Sequence, residues 1–437
     1  MKKLFNIVLA SAAALMLLAG CATNEGNREN ILKIYNWADY IDEDVLAEFP
    51  AWYKEQTGED VSIVYQLFDI NEIMLAKIER GHEDFDVVCP SDYIIERMLR
   101  NDLLLPIDHD FGNTPNYIDG NLSPYIIDCF DKIAGNGKNA NDYAVGYMWG
   151  TTGIMYNTKT VTADEASSWN VLRNDKFAGR IFIKDGFRDV YCPILVYLKQ
   201  QEIAEGKITL DELMFDASDE SIAMVEKFLK EAKQYIAGWE ADFGKEMMTK
   251  EKADINLTWS GDAVWAIDEA AEVGVSLDYV VPAEGSNVWF DGWVIPKYAK
   301  NVKAARYFIN YMCRPDIAIR NMEATGYVSA IGTSEVLEER TDAQYDPIDV
   351  TYFFGEGADS VRINPVQYPA KDVVERCAMM HDSGDRTEQL LEMWSRVKGD
   401  NMNTWVIVVC AAALLGLLAL AFSRKSNNKR KKHKHRR

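Results

Sequence analysis

Between residues 31 and 90, short apolar runs alternate with amphipathic ones, and no other feature restricts the fold of this chain as strongly. ILKIY (31–35), VSIVYQL (61–67) and FDVVCP (85–90) read as strands, while Asp44 to Gln56 and Asn71 to Glu79 read as helices. Strands joined through helices by short connections lie parallel in a sheet whose faces the helices cover, which is an α/β fold. In the second helix Ile73, Leu75 and Ile78 are expected to face the core, with Asn71 capping the start and Gly81 closing the end. Pro50 is expected to kink or interrupt the first helix, because its ring removes a hydrogen bond and crowds the preceding turn.

The same vocabulary continues along the chain. YAVGYMWGTTGIMYN (143–157) is β-rich, IFIKDGFRDV (181–190) is a strand entering a helix, and INLTWSGDAVWA (255–266) and VWFDGWVIP (288–296) follow; AARYFINYMC (304–313) is helical and ends before Pro315. The stretch from 31 to 400 has no long Gly, Ser or Pro tract and exceeds what one core usually serves, so two domains are expected.

In open α/β sheets ligands sit beyond the carboxyl ends of the strands. There this chain repeatedly places an aromatic ring beside a carboxylate or hydroxyl: Trp37, Asp39 and Tyr40, then Ser91 and Tyr93, then Asp189, then Trp259 with Asp262, and Trp289 with Asp291. A ligand that is both apolar and cationic needs this pairing. Each buried ammonium requires a carboxylate, and Trp or Tyr faces cover methylenes while adding about 0.5 to 2 kcal/mol of cation–π attraction each. Singly, each residue also has an ordinary role. Trp259 and Trp289 suit a core, Asp262 after Gly261 suits a helix N-cap, Asp39 a turn, Asp291 a strand end, and Asp185 and Asp189 a solvated turn. Recurrence at successive strand ends favours the site.

The ends of the chain carry different signals. Lys2 and Lys3 precede an apolar run from Leu4 to Leu18 and then LAGC (18–21), which reads as a signal peptide over 1–20. The LAGC ending resembles a bacterial lipobox, which implies lipidation of Cys21 and a tether over 21–30. At the other end an apolar segment, 403–422, precedes a tail (423–437) with nine Lys or Arg and no acid. Eighteen uncharged residues from Trp405 to Phe422 are long enough for a transmembrane helix, and the basic tail belongs in the cytoplasm. A C-terminal sorting signal that is cut off is the competing reading. With two basic residues in the leader and nine in the tail, the stretch between holds 36 Lys or Arg against 68 Asp or Glu. That field repels nucleic acid. Cys89, Cys129, Cys192, Cys313 and Cys377 match no metal spacing and sit mostly in apolar settings, so buried free thiols are expected.

YNWADYI, FDINEIMLAKIERG, FDVVCPSDYIIERM, YMWGTTGIMYN, TWSGDAVWA, VWFDGWVIPKYAKN, FINYMCRPD and GYVSAIG, in this order, resemble the polyamine-binding members of the bacterial extracellular solute-binding proteins. Those are the spermidine/putrescine-binding components of ABC importers. The resemblance implies a two-lobed periplasmic-binding-protein fold with crossing hinge strands: lobe 1 over 31–142 and 288–328, lobe 2 over 143–287 and 329–400. It implies that Trp37, Asp39, Tyr40, Ser91, Tyr93, Asp189, Trp259, Asp262, Trp289, Asp291 and Tyr327 bind the ligand. It further implies a non-enzyme whose partners are a polyamine and permease subunits; no cofactor or metal is expected, since no His, Cys and Asp cluster has metal-ligand spacing, and the two anchors at the chain ends place the protein at the outer face of the cytoplasmic membrane. Ala38 departs from the Ser or Thr usual in relatives. Asp262 looks like a putrescine-type site and Tyr93 like a spermidine-type one. The alternatives are a glycoside hydrolase built on two carboxylates, and a solute-binding protein or sensor for another small cation.

Overall fold

A computed structural model describes residues 25–399. The elements that position the site are β1 (Ile31–Trp37), α1 (Glu43–Thr57), β2 (Ser62–Phe68), α2 (Asn71–Glu79), β3 (Val87–Val88), α3 (Asp92–Arg100), β4 (Ala144–Asn157), β5 (Ile181–Lys184), α4 (Phe187–Ala204), β6 (Ile236–Glu240), β7 (Ile255–Trp259), α5 (Ser260–Glu272), β8 (Ser286–Pro296), α6 (Pro315–Thr325) and α7 (Thr387–Gly399).

Through the sheet the strands run β2-β1-β3-β8-β4-β7-β5-β6. One arm is parallel, with β1 between β2 and β3; the other is parallel too, with β5 between β7 and β6. Between the arms β8 and β4 pair antiparallel over most of their length. All fourteen residues of β4 and all eleven of β8 are buried, as strands covered on both faces must be. Their sequences are accordingly apolar and Gly-rich rather than alternating. The glycines make room for rings: a Cβ on Gly150 would fall 2.6 Å from the Trp289 ring.

The β8–β4 register shifts between Asp291 and Gly292. The extra residue lies on β4, where Tyr147 is passed over as Asp291 pairs with Met148 and Gly292 with Gly146. Ser91 bridges to Asp291 from the neighbouring loop, and the Gly292 N–H donates to the Pro90 carbonyl at 3.1 Å.

Four local expectations are corrected. The first helix runs unbroken through Pro50, because Val45, Phe49 and Tyr53 bury one face and Phe49 packs against Phe308 and Tyr311; that packing outweighs one lost hydrogen bond. In α2, Asn71 does not cap the helix but turns inward, Ile73 is 55 % exposed, and Met74 takes the core place beside Leu75 and Ile78. Gly81 does not adopt the left-handed turn; His82 does, at φ 51°. Cys89, Cys129, Cys192 and Cys313 are buried and Cys377 half-buried, all as free thiols.

The signal peptide, Cys21, the 403–422 segment and the basic tail lie outside the described residues. Among the described residues no helix is long and apolar enough to cross a membrane. The end of the expected tether is fastened to the body: Glu25–Asn30 forms a 3-10 turn, and Arg28 pairs with Asp84 and Asp86 at 2.8 Å.

Candidate functional site

The carboxyl ends of β1, β3, β5 and β7 converge on one cleft, partly open to solvent. All eleven residues singled out from the sequence line it.

β1 ends in Trp37, whose indole N–H donates to the Cys89 carbonyl at 2.9 Å and whose ring packs on Phe68 at 4.5 Å. The chain then turns at Asp39, in a left-handed conformation at φ 50°, and this turn brings Tyr40 back over the cleft. Ser91 stands at the N-cap of α3 without capping it. Asp92 lies behind: it is fully buried and accepts the N–H groups of Tyr93 (2.7 Å) and Phe290 (3.2 Å). The Ser91 hydroxyl is thereby left to donate to Asp291 Oδ1 at 2.7 Å, while the Tyr40 hydroxyl donates to Oδ2, also at 2.7 Å.

Trp289 and Asp291 are two residues apart on β8 and both face the cleft, as the period of a strand requires. The Trp289 ring meets Tyr327 at 5.6 Å, and Tyr327 meets Tyr40 at 5.0 Å, both edge to face. Tyr327 follows Gly326 and lies flat against Gly261, where an added Cβ would stand 2.2 Å from the ring. On the far arm, Asp189 sits in the first turn of α4 and Asp262 in the first turn of α5. Asp262 is not the helix N-cap: α5 already begins at Ser260, and the Asp262 carboxylate binds Lys184 Nζ at 2.6 Å and the Tyr327 hydroxyl at 2.8 Å.

The charges fall into two groups. No ion pair among the described residues involves Asp291 or Asp189. Burial pushes the Asp291 carboxyl up to about 7 against the pull of Ser91 and Tyr40, and the nearby Asp189 adds to the rise. Burial likewise raises Asp189 to about 6, against the Trp259 side chain and the Lys184 charge. Asp262, by contrast, has a lysine. At the mouth Asp39 is 73 % exposed and lies 3.9 Å from Lys245, which also pairs with Asp242 at 3.0 Å. Asp185 turns away from the cleft to Lys398 Nζ at 2.5 Å and to the Trp394 indole at 3.1 Å, both on α7.

Further residues line the cleft that the sequence did not single out, among them Phe68, Asn71, Lys245, Thr325 and Met380. Asn71 donates to Ser91 Oγ (2.9 Å) and to the Tyr93 hydroxyl (3.2 Å), which in turn donates to the half-buried Glu72 at 3.2 Å. Its place at a helix start makes it look like a cap. Met380 arrives because Cys377–Met379 pairs with β8 from almost three hundred residues beyond Ser91, and nothing local marks it. Chemically, the cleft offers buried anionic oxygens between aromatic faces. Among the described residues no group of His, Cys, Asp and Glu is arranged to hold a metal ion.

Residues 51–345 match the family described as bacterial extracellular solute-binding protein. The chain is 28 % identical to the spermidine/putrescine-binding periplasmic protein of Escherichia coli, over 75 % of this chain and 84 % of that one. It is 27 % identical to the putrescine-binding periplasmic protein PotF of Escherichia coli, over 89 % and 97 % respectively. A solved structure of a putative spermidine/putrescine ABC transporter from Listeria monocytogenes superposes with a TM-score of 0.67 at 29 % identity, covering 84 % of this chain and 99 % of that one.

Proposed function

This chain belongs to the bacterial extracellular solute-binding proteins, extracytoplasmic binding components and not enzymes, and we propose that it captures a polyamine, putrescine or spermidine, for the permease of an ABC importer. One observation carries the reading: Asp291, buried, and Asp189, half-buried, stand among aromatic rings with raised pKa values, and neither forms an ion pair among the described residues. A site in that state gains most from a ligand that brings its own positive charge and apolar surface. Anionic and neutral ligands would leave the carboxylates uncompensated.

Delivery follows from where the groups are mounted. Trp37, Tyr40, Ser91 and Tyr93 come from one arm of the sheet, Asp189, Trp259 and Asp262 from the other, and Trp289 and Asp291 from the strand between. In this reading 31–142 with 288–328 and 143–287 with 329–400 are two lobes, and a ligand touching both favours the closed state in proportion to its preference for it. Lipid on Cys21 and the apolar 403–422 segment would keep the protein at the outer face of the cytoplasmic membrane.

Titration calorimetry with putrescine, spermidine, glutamate and a neutral sugar tests the proposal. Saturable one-to-one binding of a polyamine alone is expected. A folded sample that gives no heat with either polyamine overturns it.

A further inference from the structure

Lys184 ends β5 with its side chain fully buried. Its ammonium lies 2.6 Å from Asp262 Oδ2, 3.2 Å from Glu240 Oε1, 2.9 Å from the Ala241 carbonyl and 4.2 Å from the centroid of the Trp259 ring. Three of these four partners, Asp262, Ala241 and Trp259, also line the cleft. Carboxylate, carbonyl and aromatic face are what an organic ammonium needs when it leaves water. The lysine therefore already has the surroundings that the cleft would offer one end of a diamine.

The commitment of Asp262 is complete on both oxygens, since Oδ1 accepts the Tyr327 hydroxyl at 2.8 Å. Its nearest cation never reaches solvent and is shared with Glu240, whereas no ion pair among the described residues involves Asp291 or Asp189. Packing alone does not account for the lysine, because an apolar side chain of similar length would fill the space without the desolvation cost.

We propose that Lys184 is a built-in counter-cation that fills one ammonium position of the cleft, so that the site takes organic cations by a single charged end, at Asp291 and Asp189. This rests on the amine-binding reading above and adds a specificity to it: a second ammonium directed at Asp262 gains little. A primary monoamine with a neutral polar tail should compete with a diamine of the same length.

The test uses the full chain and two probes, putrescine and 4-amino-1-butanol, titrated against the wild type, Lys184→Met and the double variant Lys184→Met/Glu240→Gln. The double variant removes one charge of each sign and leaves Asp262 without its lysine ion pair. The wild type is expected to prefer putrescine by no more than about tenfold, and the preference should grow by about tenfold or more in the double variant. A wild type that prefers putrescine by more than about a hundredfold overturns the inference, as does an unchanged ratio in a folded variant. If neither variant folds, the wild-type ratio decides alone. Failure of both amines to bind the folded wild type removes the amine-binding reading itself. That outcome is distinct from amine binding whose selectivity does not depend on Lys184.

Discussion

Asp291→Asn separates stability from binding. In the empty cleft the Asp291 carboxyl is raised from 3.8 to about 7. At about 1.36 kcal/mol per pKa unit, ionising it there costs on the order of 4 kcal/mol more than in the unfolded chain. Because the folded pKa lies above the unfolded one, the native state holds more protons between about pH 4 and pH 7. This group therefore makes the empty protein less stable as pH rises through that window. Asparagine keeps both contacts, since Tyr40 can donate to its Oδ1 and Ser91 can accept from its Nδ2, but it carries no charge at any pH. Urea unfolding at pH 5 and pH 8, with and without putrescine, reads the effect. The empty variant should lose less stability than the wild type between the two pH values and should be the more stable of the two at pH 8. Asp189, raised to about 6, leaves both proteins a residual slope of the same sign. Putrescine should bind the variant roughly a hundredfold to a thousandfold more weakly, the cost of removing one partner of a buried charge pair. A variant that is less stable than the wild type at pH 8, or that binds putrescine undiminished, refutes the reasoning.

Three further outcomes follow from the same geometry. Putrescine affinity in the wild type should fall as pH drops from 8 to 5, by up to about tenfold per unit for each carboxylate that must release a proton; isothermal titration across that range would show a flat profile if Asp291 and Asp189 were already ionised. Gly261→Ala puts a Cβ 2.2 Å from the Tyr327 ring, so it should lower stability by roughly 1 to 3 kcal/mol and weaken binding together, as read by thermal melting and titration. Asp185→Asn, which loses its ion pair with Lys398 outside the cleft, should leave putrescine affinity within about twofold; a large loss would place Asp185 in the site.

Much of the site was legible because its parts are local in the sequence. Trp37 with Tyr40 and Ser91 with Tyr93 each follow one strand end, whose direction in an α/β sheet is known; Trp289 and Asp291, expected at a strand end, instead lie two apart within β8 and share its face. Asn71 and Met380 were not legible. Asn71 is identical in sequence to a helix cap, and only the buried hydroxyls of Ser91 and Tyr93 draw its amide inward. Met380 reaches the cleft through a distant strand pairing. Lys184 left one signal: a lysine closing the apolar run IFIK, where a buried strand has no water for it.

The sequence by itself determined the class of fold, since the alternation of strand and helix periods admits little else than a helix-covered sheet. It also determined the inventory of aromatic and acidic groups at the strand ends. Which acids are available to a ligand was decided only by the tertiary structure. Asp262, Asp291, Asp189 and Asp185 are alike in sequence, yet one meets a buried lysine, one is buried and one half-buried without an ion pair among the described residues, and one turns away to α7. Coulomb attraction and desolvation depend on distance and burial across the sheet, and residues far apart in the chain set both.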